Sequence, residues 1–208
     1  MADPTLSLGT GELLAVAAAL GWASGLRLYA VVFLTGLAGW LGWVPLPSGL
    51  QLLEQPVVLW GSGAMFALEF LADKIPFVDS VWDALHTVIR IPAGAALAAG
   101  VFGFDGSQIA LLAGLMGGTL AATSHVAKAS TRAAINTSPE PFSNIGVSLL
   151  GDAAVPAMLW LSWEHPWAFA VALAAALVIS LTLTVLTLKF LRALWRRFRG
   201  RGGDALAV

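Results

Sequence analysis

Long apolar runs alternate with short polar connections along most of the chain. Six apolar segments can be drawn, at roughly 12–43, 57–73, 78–103, 107–135, 142–163 and 166–195, and each is about as long as a helix that crosses a bilayer. The first is too long for one straight span, and we expect it to kink or break near Ser24-Gly25, because serine and glycine weaken a helix locally. The pattern predicts an all-α, polytopic integral membrane helical bundle with about six transmembrane helices.

The composition excludes a water-soluble globular protein. Of 208 residues, 58% are hydrophobic and 11% are charged, and the mean hydropathy is +0.83. Soluble domains average roughly 45–50% apolar and about 25% charged residues. The lack of cysteine excludes a disulfide scaffold and thiolate chemistry. The first 11 residues hold no Lys or Arg, so we expect no cleaved signal peptide. We expect a single transmembrane domain at 1–200, followed by a short cytoplasmic tail at 201–208.

Basic residues are unevenly distributed between the connections. Six of the 11 lie in the last 20 positions, and Lys74, Lys128 and Arg132 lie near the ends of the second and fourth segments. The connections at 44–56, 104–107 and 163–166 contain no Lys or Arg. By the positive-inside rule, we expect a multi-pass membrane protein with both termini in the cytoplasm.

The third segment carries charged residues on one helical face. Asp79, Asp83, His86 and Arg90 follow one another at intervals of four, three and four residues. A charged residue at the middle of a membrane helix costs roughly 2.5–3.5 kcal/mol on insertion scales. A mostly acidic stripe within a membrane helix therefore indicates either a functional site or buried partners that compensate the charges.

Further polar stripes follow in the fourth and fifth segments. Their members are His125, Lys128 and Arg132 in the fourth segment and Asn144, Ser148 and Asp152 in the fifth. Arg27 is an isolated base in the first segment, and Asp73 follows Glu69 by four residues at the end of the second. If the acidic and basic stripes face each other, their charges are compensated and water can be admitted to a cytoplasm-facing cavity.

These residues favour a transporter, translocase or channel for a small anionic or phosphate-bearing substrate. Arginine suits oxyanions because its planar fork donates two hydrogen bonds, and histidine titrates near neutral pH. The predicted substrate-binding residues are Arg27, Arg90, His125, Lys128, Arg132, Asn136 and Asn144. The residues predicted to couple a proton or a cation are Asp73, Asp79, Asp83, His86 and Asp152.

Other functions stay open. Asp79, Asp83 and His86 are the candidate ligands if a divalent cation follows this path. Acids beside bases also fit a membrane-embedded enzyme that acts on a lipid phosphate, although the chain shows no nucleophile motif, P-loop or metalloprotease signature. A non-catalytic membrane scaffold, in which buried ion pairs only fix the packing, is the remaining alternative.

We expect the lipid bilayer as a partner, and neither a cofactor nor a nucleic acid. Glycines at 36, 39 and 42 and at 114, 117 and 118 predict close helix packing, which small residues permit in membranes. The same glycine-rich faces could pack between two copies of the chain, so a homo-oligomer is possible from sequence.

Several strings in the chain resemble one membrane-protein family. They are Gly25-Leu26-Arg27-Leu28-Tyr29, Asp73-Lys74-Ile75-Pro76 followed by Asp79, Asp83, His86 and Arg90, Ser124-His125 followed by Lys128 and Arg132, and Asn136-Thr137-Ser138-Pro139-Glu140-Pro141. In these residues the chain resembles the bacterial polytopic membrane family called domain of unknown function 4126, over roughly residues 12–195. In that family an acidic residue often precedes the position of Asp152, where this chain has Gly151. The resemblance implies a location in the bacterial inner (cytoplasmic) membrane and a recurring set of polar stripes, and it assigns the stripes no activity.

Overall fold

The chain folds into helices. The computed structural model describes residues 8–104, 106–137 and 142–204, with side chains described as far as Arg196. In this part of the chain there are six α helices, one 3₁₀ helix and no strand, so the all-α prediction is confirmed. The α helices are α1 (Thr10–Trp40), α2 (Pro56–Ala72), α3 (Val78–Gly100), α4 (Gln108–Ile135), α5 (Phe142–Glu164) and α6 (Pro166–Asp204). The 3₁₀ helix, Ser48–Glu54, lies in the first connection, where no element was expected.

The helix boundaries follow local sequence signals. Pro56 and Pro166 are the first residues of α2 and α6. An N–H group at this position has no hydrogen-bond partner within the helix, so proline, which lacks the N–H, loses no hydrogen bond there. Ser107 precedes α4, and its hydroxyl accepts a hydrogen bond from the N–H of Ala110 at 3.3 Å. Each of the six predicted apolar segments therefore corresponds to one α helix.

The C-terminal helix continues beyond its predicted end. α6 reaches Asp204, inside the stretch predicted to be a tail. Residues 205–208 lie outside the described residues, as do the side chains of Arg197, Arg199 and Arg201, three of the six basic residues in the last 20 positions. The cytoplasmic location of this end of the chain stays a prediction.

α1 is the central helix of the bundle. Its residues from Ala15 to Gly25 are all buried, and it packs against every other helix. α3 and α4 pack along each other, and α6 lies at the outside with most of its apolar side chains exposed. Exposed apolar faces are expected where lipid tails replace water as the solvent.

Small residues let α1 approach its neighbours closely. A Cβ built on Gly21 would come within 2.5 Å of the Cα of Gly117 in α4, and one built on Gly36 would overlap the carbonyl of Leu53 in the 3₁₀ helix. Close packing of this kind is what small residues permit in membranes. These glycines of α1 and α4 thus pack within one chain.

One residue inside α1 departs from helical geometry. Arg27 has φ −147° and ψ 77°, whereas Ser24 and Gly25 lie within the helix. Lys128 of α4 donates a hydrogen bond to the carbonyl of Leu26 at 2.9 Å, directly beside this irregular residue. Irregular backbone at membrane depth is tolerated where buried protein groups satisfy its polar atoms.

Among the described residues, four helices, α1, α4, α5 and α6, are long and apolar enough to cross a membrane. A fifth span is added if the 3₁₀ helix and α2, which meet at 70°, are counted as one broken span. α3 has 23 residues, but its first half carries the charged stripe. These helices indicate an integral membrane protein.

We predict that Gly21→Ala destabilises the protein, because the added methyl group meets the backbone of Gly117, which cannot rotate away. Overpacking costs typically about 1–3 kcal/mol, so the midpoint of thermal unfolding in detergent should fall by several degrees. The control is Gly61→Ala in α2, where an added Cβ meets nothing within 4 Å and alanine raises helix propensity. Equal midpoints for the two variants would contradict the described packing.

Candidate functional site

Ten charged side chains, contributed by α1 to α5 and the turn after α2, are linked by ion pairs. We call them the charge network. Its bases are Arg27, Lys74, Arg90, Lys128 and Arg132, and its acids are Glu69, Asp73, Asp79, Asp83 and Asp152. Five formal positive charges thus balance five negative ones. A paired, neutral cluster is the form in which charges are tolerated in a low-dielectric interior.

Asp73 is the centre of the charge network. It follows the last residue of α2, and its carboxylate is fully buried. Arg27 of α1 forms an ion pair with it, and Lys128 Nζ and Arg132 Nη1 of α4 each lie 2.9 Å from one of its oxygens. One carboxylate therefore holds three cations and joins α1, α2 and α4.

Arg90 and Asp83 join α3 to its neighbours. Arg90 Nη2 lies 2.7 Å from Glu69 Oε1 of α2, and its Nη1 lies 2.6 Å from Oδ1 of Asp83, which is seven residues earlier on the same face of α3. Asp83 also lies 3.0 Å from Lys128 Nζ and 3.6 Å from Arg132 Nη1. The acidic stripe of α3 and the basic stripe of α4 are thus in direct contact.

Asp152 extends the charge network into α5. Its Oδ1 lies 2.6 Å from Arg27 Nη2, and its Oδ2 lies 2.8 Å from Lys74 Nζ. Arg27 also donates a hydrogen bond to the hydroxyl of Ser148 at 2.9 Å. The Lys74 ammonium lies 3.1 Å from the centre of the Phe70 ring, a cation–π contact. Through Asp73 after α2 and Asp152 of α5, Arg27 is therefore linked to both helices.

The four remaining predicted site residues, His125, Asn136, His86 and Asn144, each have a different environment. His125 Nε2 lies 2.8 Å from Thr87 Oγ1, and its Nδ1 lies 3.4 Å from Arg90 Nη1, so it borders the charge network. Asn136 donates hydrogen bonds to Asp79 at 3.0 Å and to Ser80 at 2.9 Å.

His86 and Asn144 have no ion-pair or hydrogen-bond contact with the charge network in the part of the chain that is described. His86 stacks on Trp82, and its Nε2 lies 3.2 Å from the hydroxyl of Tyr29. Asn144 is buried at 1% exposure, and neither amide atom has a hydrogen-bond partner among the described residues. The predicted turn that follows Asn136 is described only as far as Thr137; Ser138, Pro139, Glu140 and Pro141 lie outside the described residues.

The candidate metal ligands do not form a ligand group in the described ranges. No three His, Cys, Asp or Glu side chains there come together as metal ligands would. Asp79 and Asp83 instead lie 3.6 Å from Arg132, and His86 lies against aromatic rings. The geometry of these three residues thus favours ion pairing over metal binding.

A cavity of about 470 Å³ lies between α1, α4, α5 and α6, beside the charge network. The charged side chains in its lining are Arg27, Lys128 and Arg132; no described carboxylate lines it. The acids that balance these bases are Asp73 after α2, Asp79 and Asp83 of α3 and Asp152 of α5, none of which lines the cavity. The lining therefore combines three cations with apolar side chains and a few uncharged polar ones. A second groove, of about 770 Å³ on the outside of α3 and α4, is lined by apolar residues, glycines and one threonine.

Three cavity-lining residues carry buried polar atoms without a hydrogen-bond partner in the described structure. They are the indole Nε1 of Trp22, the hydroxyl of Thr131 and the guanidinium Nε of Arg132. The nitrogens are N–H donors, and the hydroxyl is able to donate. Buried polar groups normally have partners. All three atoms are buried in the structure as it stands, so an anionic acceptor would reach them only after the lining side chains move.

Sequence reasoning missed the contribution of α6 and several lining residues. Ser180 lies on the cavity side of α6, and Trp22 and Thr131 supply unpaired donors. Trp22 could have been noticed because it lies deep inside its segment, whereas tryptophan is enriched at membrane interfaces. Thr131 lies one residue before Arg132 and offers no periodic signal of its own.

We predict that Glu69→Gln destabilises the protein strongly, because it leaves the buried Arg90 with one acidic partner where it had two. Removing one member of a buried ion pair costs about 3–5 kcal/mol, which chemical unfolding in mild detergent should detect. Glu164→Gln is the matched control, since Glu164 is exposed at the end of α5 and its change should alter the free energy of unfolding by less than about 0.5 kcal/mol. If both variants unfold like the wild type, the pairing of Arg90 is not as described.

Comparison with known proteins places the chain in a family. No curated protein and no solved structure matches it. A family model described as Domain of unknown function (DUF4126) matches residues 14–186, a range that contains the whole charge network and the cavity. Because the match covers most of the chain, the family predicted from its motifs is confirmed: the chain belongs to the DUF4126 family.

Proposed function

We propose that the protein translocates a small anionic or phosphate-bearing substrate across the membrane and holds its anionic group at Arg27, Lys128 and Arg132. The observation that carries this proposal is the cavity lining, whose charged members in the described structure are all cations. Arginine and lysine are the residues that recognise phosphate and carboxylate groups, by forked hydrogen bonds and by point charge respectively.

Asp73 gives the site a way to release its substrate. All three cavity cations contact this carboxylate, so it competes with a bound anion for the same donors. A substrate anion therefore does not face three free cations, which would hold it too tightly to let it go. Asp79, Asp83 and Asp152 are the further acids able to take up the cations or a coupling proton, with His86 as the more remote titratable group.

The unpaired donors of three lining residues add support to this proposal. Each buried unpaired donor costs about 1–3 kcal/mol, and a ligand that accepts hydrogen bonds from Trp22, Thr131 or Arg132 would recover part of that cost. Their position among the lining residues supports a ligand that accepts hydrogen bonds.

The proposed topology has six spans, with both termini in the cytoplasm and the first span broken at Arg27. α3 serves as a span despite its charged stripe, because Asp79, Asp83, His86 and Arg90 are buried against the bundle. Its outer face is apolar, with Val81, Leu85 and Val88 exposed. In this arrangement the charge network lies in the cytoplasmic half of the inner membrane, where the positive-inside rule places the basic connections.

The test is transport by purified protein in liposomes. The probes are radiolabelled orthophosphate and a short-chain phosphatidic acid with a fluorescent acyl group, whose movement between leaflets is followed by dithionite quenching. We predict flux of at least one probe above protein-free liposomes, and its loss to background in Arg132→Gln. Lys189→Gln, an exposed base on α6 outside the cavity, should leave the flux unchanged.

Thr131→Val separates a binding role from a structural one. It removes an unpaired hydroxyl and keeps the side-chain shape, so it should not lower the unfolding midpoint. Loss of one hydrogen bond to a charged ligand should lower the flux about tenfold. Absence of flux for both probes would refute the proposed function, and wild-type flux in both Arg132→Gln and Thr131→Val would refute the assigned site.

A further inference from the structure

We infer that the anion held in the cavity is the headgroup of an anionic lipid, which reaches the site sideways from the bilayer with its acyl chains against the apolar wall. This inference rests on the proposed function and names its substrate class. Three features of the cavity carry it: the division of its lining, its size and the side on which it opens.

The lining divides into a charged end and an apolar wall. The charged end is made by Arg27, Lys128 and Arg132. The wall is made by residues of α5 and α6, namely Val147, Leu150, Ala154, Ala176, Ile179 and Leu183. A free phosphate has no part that this wall could contact, whereas a lipid has an anionic head and apolar chains joined in one molecule.

The apolar wall extends along α5 well beyond the charged end. Ser148 marks the charged end, because its hydroxyl accepts a hydrogen bond from Arg27 at 2.9 Å. Ala154 lies six residues later in the wall, which at 1.5 Å per residue is about 9 Å farther along the helix. A lipid lying along α5 with its headgroup at the cations would therefore have apolar side chains beside its acyl chains.

The cavity is much larger than a small oxyanion. Its 470 Å³ lies within the range of roughly 300–1,000 Å³ that is typical of ligand pockets. Gly151, Ala154 and Ala176 help to provide this space, because larger residues at these positions of α5 and α6 would fill it.

The cavity opens toward the lipid side of the bundle. Leu150, Ile179 and Leu183 line it and are 71%, 57% and 41% exposed. α4 and α5 scarcely contact each other, so no close helix packing closes this side. An opening bordered by leucine and isoleucine on membrane-spanning helices leads to hydrocarbon, where lipids and not free anions are present.

Binding of two phosphate monoesters to the purified, detergent-solubilised protein tests this inference. The probes are radiolabelled phosphatidic acid and radiolabelled glycerol 3-phosphate, which carries the same phosphate without acyl chains. We expect phosphatidic acid to bind at least about tenfold more tightly. Ala176→Trp should lower phosphatidic acid binding about tenfold or more by filling the apolar wall, and should leave glycerol 3-phosphate binding unchanged. Ala175→Trp, next to it on the exposed side of α6, is the control and should change neither.

Each outcome decides one claim. If both probes bind equally, or if Ala176→Trp spares phosphatidic acid binding, the lipid inference is overturned while the anion site stands. If neither probe binds to the wild-type protein, the proposed function itself fails.

If Ala176→Trp lowers the unfolding midpoint, a second pair of variants on α5 repeats the test: Ala154→Trp in the wall, with its exposed neighbour Ala153→Trp as the control. Phosphatidic acid binding that persists in Arg132→Gln would also overturn the inference, because the headgroup would then not lie at the cations.

Discussion

The carboxylate of Asp73 lies where three cations from two helices meet, and the arrangement of the bundle depends on this contact. An ionised carboxylate without partners would be very costly in a dry interior, and so would each of the three cations without it. In a membrane, apolar packing discriminates weakly between helix arrangements, because lipid tails are as apolar as the side chains they replace. Charge pairing around Asp73 thus specifies how α1, α2 and α4 are placed, and the close glycine contact between α1 and α4 makes that placement sterically possible.

The same contact connects structure to the proposed function. The cations reach Asp73 on one side and line the cavity on the other, so a bound anion and the internal carboxylate share their donors. Five bases and five acids balance, and Lys128 and Arg132 each lie within 4 Å of more than one carboxylate. The irregular backbone at Arg27 is connected to the same contact, because Lys128 donates hydrogen bonds both to the Leu26 carbonyl and to Asp73.

The sequence was sufficient to predict the six α helices, because membrane segments are long and their hydropathy contrast is strong. It also showed that the charged residues of α3 and of α4 each share one face, since residues at intervals of three and four lie on the same side of a helix, and that their charges would be compensated if the two faces met. It could not show which acid each base would choose: the pairing of Asp73 with Arg27 depends on how α1 and α2 pack, and the pairing of Lys74 with Asp152 joins residues 78 positions apart. The cavity was missed because Trp22, Thr131 and Ser180 lie on three different helices, and only their packing brings them together.

The most direct measurement of the central claim is the affinity of Asp73→Asn for glycerol 3-phosphate, compared with that of the wild type in the same detergent. If Asp73 and a bound phosphate compete for the three cations, removing the carboxylate's charge should tighten binding about tenfold or more. Asp79→Asn, whose closest base is Arg132 at 3.6 Å, should have a smaller effect. Unchanged or weaker binding by a folded Asp73→Asn protein would contradict the claim that the cations are shared.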